Sequence, residues 1–230
     1  MKSSLRGFTL VELLIAISIL SGLLFVGNYS YQILAGRWQQ ELGQFHNYQE
    51  FGRKLSLFNK TLAGIQPYVV RRVVNSNQQV GFLFEGNEQR LLSISKVGLI
   101  QQAYPEVFRL IVQEQDNGLF SLLYQAKSTQ HFLLKYSDQN IDFQRSYILF
   151  QDLDEIKFNY LGWDNINQKS ELKSVGRTPT WRQSYSGLDS QQLPEEIAIL
   201  MKQGTQELLY TIELDKSTLR YLTPYLDVAR

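Results

Sequence analysis

The stretch Phe8–Val26 constrains this chain more than any other. Of its nineteen residues only Thr9, Glu12, Ser18, Ser21 and Gly22 are not clearly apolar. As a helix it rises about 28 Å, close to the roughly 30 Å of hydrocarbon in a bilayer. Lys2 and Arg6 stand just before it, so the positive-inside tendency holds the start in the cytoplasm and sends the large remainder across the membrane.

Glu12 sets this run apart from a plain anchor or a secretory signal. A carboxylate inside a membrane helix costs several kcal/mol unless it is paired, and its default meaning is functional. A signal peptide has an uncharged apolar core followed by a small-residue cleavage site. Here the residues after the core, GLLFVGNYSYQILAGRWQQ, offer only weak sites, Ala35–Gly36 the least poor, and remain helix-like. If the chain were cut after Gly7, the new amino group at Phe8 would supply a partner for Glu12, from the same chain or from a neighbouring subunit.

RGFTLVELLIAISIL resembles the leader and anchor of type IV prepilins and of the pseudopilins of type II secretion. The resemblance implies that a membrane aspartyl peptidase cuts on the cytoplasmic side after Gly7 and methylates Phe8. It implies that Glu12, the fifth mature residue, serves subunit recruitment and filament assembly. The chain then divides into a leader at 1–7, a transmembrane helix at 8–26, a periplasmic amphipathic continuation at 27–64 and a β-rich periplasmic domain at 65–230. The implied location is the bacterial inner membrane, crossed once.

Past the apolar run, Trp38, Leu42, Phe45, Tyr48, Phe51, Leu55, Phe58 and Leu62 recur at spacings of three and four, one stripe of an amphipathic helix that needs a partner surface. Gly64 and Pro67 mark its end. From there the pattern turns to short runs rich in branched and aromatic residues: YVVRRVV, VGFLFEG, RLLSIS, VFRLIV, LFSLLYQA, HFLLKY, YILF and IKFNYLG. Polar turn segments such as NSNQQ, QEQDNG and SDQNID separate them. These features predict an α+β fold in which a long N-terminal transmembrane and amphipathic helix packs on a mostly antiparallel, pilin-like β-sheet domain. Residues 165–192 read as a polar surface excursion ordered by Trp181 and Tyr185. EIAILMK and ELLYTIEL, around Gly204, read as a terminal hairpin.

LDEIKFNYLGW, then Trp181, then LPEEIAILMK is similar to the end of the J-type minor pseudopilin of type II secretion, with Trp163 and Trp181 as its tryptophan pair and Tyr160 as its strand aromatic. That resemblance implies I-type and K-type minor pseudopilins and the major pseudopilin as partners. It also implies the prepilin peptidase/methyltransferase and the inner-membrane assembly platform. RRVV is less arginine-rich than the corresponding J-type region, so a W-like minor pilin of a type IV or agglutinin-type pilus, acting in assembly or adhesion, stands as the alternative.

Charge and composition narrow the remaining classes. A net charge of +1 gives no concentrated cationic surface, so no nucleic acid partner is expected. The absence of cysteine removes disulfides and thiolate metal sites. His46 and His131 are far apart and have no neighbours at ligand spacing. Asp152, Asp154 and Glu155, and separately Asp138, Asn140 and Asp142, alternate oxygen donors, but the second group lacks the glycine and distal glutamate of a calcium loop. No nucleophile elbow or phosphate-binding loop is present. No enzyme activity, cofactor or metal is expected.

Overall fold

In the computed structural model the described residues are 10–74, 77–99, 103–143, 145–166 and 178–226. Helix α1 runs Leu10–Ala63. The compact unit that follows begins at Lys54, so it takes in the last turns of α1 together with the β domain. Of the predicted stripe, Phe58 and Leu62 are buried and Leu55 packs against the same core, Phe51 is exposed, and the side chains of Trp38, Leu42, Phe45 and Tyr48 lie outside the described residues. The helix ends as Gly64 N–H returns to the Lys60 carbonyl at 3.0 Å.

Twelve strands among the described residues form three antiparallel sheets. β1 (Val69–Val74) and β2 (Asn77–Phe82) make a hairpin. A six-stranded sheet has the order β10-β3-β4-β5-β6-β7, from Tyr185–Ser186, Phe84–Asn87, Arg90–Ser95, Glu106–Glu114, Phe120–Ser128 and Arg145–Leu153. A four-stranded sheet has the order β12-β11-β8-β9, from Gln206–Glu213, Glu196–Gln203, Glu155–Gly162 and Thr180–Arg182.

Alternation along these strands builds one principal core. Phe84, Leu91, Phe108, Leu110, Leu122 and Tyr124 point inward from the six-stranded sheet, and Ile156, Phe158, Tyr160, Ile197, Ile199 and Ile212 from the four-stranded one. Phe58 joins them from the helix with its ring edge-on to Phe150, centroids 5.7 Å apart. A smaller cluster of Val70, Leu83, Ile94, Val107, Leu134 and Leu188 is separate from it. Because β4 supplies both clusters, its Ser93 and Ser95 are fully buried, and Ser93 Oγ donates to the Leu83 carbonyl at 3.1 Å.

Three local expectations are revised. HFLLKY forms no strand: Thr129–His131 is a 3₁₀ turn whose Gln130 N–H donates to Ser128 Oγ, and among the described residues the segment's only β pairing is a bridge from Tyr136 to Arg71 of β1. The alternation there serves to plug Leu134 into the smaller cluster. YILF extends in both directions into nine-residue β7. A second helix, α2 (Leu219–Leu226), follows the terminal hairpin with Leu222 buried and Pro224 inside it.

Candidate functional site

The first described turn of α1 carries Glu12. Gly7 and Phe8, the expected cleavage and methylation residues, lie outside the described residues. Leu10–Gln32 is long and apolar enough to cross a membrane, and none of it is buried within the chain. Ser18 meets its hydrogen-bond need inside the helix, donating to the Leu14 carbonyl at 2.8 Å. The large apolar side chains of this stretch are more than half exposed from Leu10 through Tyr31. Such a surface requires lipid or other helices around it. Glu12 is the one charged residue of this largely apolar stretch.

The other sequence candidates lie in the β domain, except His46, whose side chain lies outside the described residues. His131 is exposed in the 3₁₀ turn. The acidic run at the β7–β8 corner is engaged structurally: Asp152 has φ +58°, Asp154 accepts the Gly204 N–H, and Glu155 pairs with Lys157 at 2.6 Å. Lys157 holds the exposed Glu155 carboxyl below its ordinary range. Asp138 and Asp142 lie on the loop after the 3₁₀ turn. Among the described residues no group of three His, Cys, Asp or Glu is placed to hold a metal ion.

The two tryptophans have separate fates. Trp163 is buried and its indole N–H donates to Glu195 Oε1 at 2.9 Å, whereas Trp181 is 50% exposed on β9. Tyr160 is buried, and its hydroxyl donates toward the carbonyls of Asn87 and Arg90, 2.9 and 3.3 Å away, tying the two sheets together. Arg72, one of the two strand arginines, reaches Gln79 Oε1 at 2.7 Å and Asp189 Oδ1 at 2.5 Å, so it links the β1–β2 hairpin to the loop after β10. Sequence reasoning missed buried Glu106, because a glutamate at the head of EVFRLIV reads as a solvated strand start.

Residues 2–21 match the family model of the prokaryotic N-terminal methylation motif. No curated protein and no solved structure matches the chain. The motif and the apolar helix support the broad pilin and pseudopilin superfamily, and the motif implies processing by a peptidase and methyltransferase. The architecture, a long apolar N-terminal helix leading into a mostly antiparallel β domain, is the pilin-like α+β arrangement.

Proposed function

We propose that this chain is a minor pseudopilin of a type II secretion system, which helps to initiate and cap the periplasmic pseudopilus that moves exported proteins through the outer membrane. The observation that carries the reading is the methylation motif at residues 2–21 on a membrane-length helix that ends in a large β domain. A head of this size crowds a repeating shaft and suits a tip. In this reading the chain has no catalytic role. It sits in the bacterial inner membrane with residues 1–7 cytoplasmic and the β domain periplasmic, and is released into the filament after cleavage at Gly7 and methylation of Phe8.

Assembly then has two drivers. Apolar helix surfaces pack subunit on subunit, and Glu12 of an incoming chain meets the cationic amino terminus of a neighbour, which selects axial register as well as affinity. The partners are I-type and K-type minor pseudopilins, the major pseudopilin and the inner-membrane platform. The test is affinity isolation of the detergent-extracted chain from its own cells, with intact-mass measurement and identification of co-purifying proteins. A methylated Phe8 terminus with I-like and K-like pseudopilins is the expected result. The same terminus with pilus subunits instead would move the assignment to a W-like minor pilin, and an uncut chain would overturn both.

A further inference from the structure

The open edge of the four-stranded sheet points to a strand-docking site. β12 pairs with β11 over eight residues in unbroken register and, among the described residues, has no strand on its other side. Leu214 N–H donates to the Glu195 carbonyl at 2.9 Å. The antiparallel alternation therefore turns the N–H and C=O of Leu208, Tyr210 and Ile212 toward β11, and those of Glu207, Leu209, Thr211 and Glu213 outward. No backbone hydrogen bond to those four outward groups occurs among the described residues. The side chains of the same four residues are exposed, Leu209 at 65%, while Ile212 is buried in the core behind them.

Edges of this kind are normally blunted by shortness, bulges, proline or lysine. The other outer strands of the six- and four-stranded sheets follow that rule. β9 has three residues, β10 has two, and β7 is broken by register shifts against β6. β12, with the sequence QELLYTIE, is long and regular and carries neither proline nor lysine; its charges are Glu207 and Glu213.

We infer that β12 receives an extended segment of a different polypeptide as an added strand, with an aliphatic residue beside Leu209 and a lysine or arginine facing Glu207. The backbone row demands an extended partner, and the side chains state its character. Register sets Leu209 beside Leu200 and Glu207 beside Lys202, which in turn lies beside Glu155 on β8, so this face alternates acid, base, acid across the sheet and a cation on an added strand would continue the row; β12 itself carries Glu207 and Glu213 and no cation. Glu213 makes an exposed pair with Lys216 at 3.5 Å. A second copy fits less well: the two-fold register that engages all four outward residues, centred on Tyr210, sets Glu207 against Glu213, and like charges directly opposite repel. This edge belongs to the β domain and does not depend on the pseudopilus reading.

The test uses the full chain in detergent micelles and a blocked seven-residue probe peptide, Lys-Val-Thr-Val-Val-Thr-Lys, followed by residue-resolved amide hydrogen exchange. The probe should slow exchange at Glu207, Leu209 and Thr211 by about tenfold or more, while β7 and β9 amides stay unchanged. A version with proline at the central position should have no effect, and Glu207→Lys should weaken binding about fivefold, the scale of one cross-strand charge pair. Thr211→Pro removes one outward N–H without touching the β11 ladder, so it should abolish binding with the fold intact. Three results would overturn the inference: no slowing at saturating probe, equal slowing by the proline version, or concentration-dependent protection of β12 in the chain alone, which would assign the edge to a second copy.

Discussion

The hydroxyl of Tyr124 donates to Oε2 of Glu106 at 3.2 Å, on the inward face of the six-stranded sheet where both residues are essentially sealed from solvent. Phe108 stacks on the Tyr124 ring at 5.8 Å, which holds the phenol in place. A carboxylate at this depth persists only because donors meet it. Tyr124→Phe should lower the unfolding free energy by about 1–3 kcal/mol, the cost of removing a donor from a buried acceptor. Glu106→Gln, which keeps an acceptor and loses the charge, should cost less. Urea unfolding of the two variants in detergent checks the order.

Phe58 marks where the helix becomes part of the β domain. Its side chain is 1% exposed against Phe150, whereas Phe51, two turns earlier, is 42% exposed. Phe58→Ala should destabilise the domain by about 3–5 kcal/mol. Phe51→Ala, at the more exposed position, should cost less. Comparison of denaturation midpoints separates the two.

Gly86 gives Tyr160 its room. A Cβ at Gly86 would run into the Tyr160 ring at Cζ, and the ring cannot swing away without leaving the carbonyls of Asn87 and Arg90. Gly86→Ala should therefore cost about 1–3 kcal/mol. In a Tyr160→Leu background the same change should cost less, with a coupling above about 0.5 kcal/mol in a double-mutant cycle.

Alkali should unfold the β domain through its buried phenols. Burial pushes the Tyr185 hydroxyl up to about 12, and burial raises Tyr160 and Tyr124 as well, the latter helped by the charge of Glu106. The folded chain thus holds these protons more tightly than the unfolded one. The stability linked to them is complete below about pH 10 and falls as pH climbs beyond it, by up to about 1.4 kcal/mol per pH unit for each phenol. Near-ultraviolet tyrosinate absorbance, recorded with circular dichroism, should show exposed tyrosines ionising first and a later step coincident with unfolding.

At the amino terminus, processing and assembly should separate. Gly7→Leu should leave the leader attached, read as an unshifted intact mass. Glu12→Ala should be cut and methylated normally, yet recover far less of its partners on affinity isolation. An uncut Glu12→Ala chain would contradict the division of labour between these two residues.

Much of this was legible in the chain itself, and the reason is physical. The membrane helix follows from nineteen consecutive residues, and the foot of the stalk from the three-and-four spacing of Leu55, Phe58 and Leu62. The β11–β12 hairpin follows from Gly204, which takes φ +58° at the first position of a two-residue turn. Each depends on neighbours in sequence. HFLLKY has the composition of a strand but lacks the partner a strand requires, and Trp163 and Trp181 differ in burial because one faces Glu195 and the other lies on a short edge strand. Glu106 beneath Tyr124, Gly86 under Tyr160 and the open edge of β12 exist only once distant strands are set side by side. Local periodicity determined which segments are helix and hairpin; long-range pairing decided which polar groups are buried with a partner and which backbone is left waiting for one.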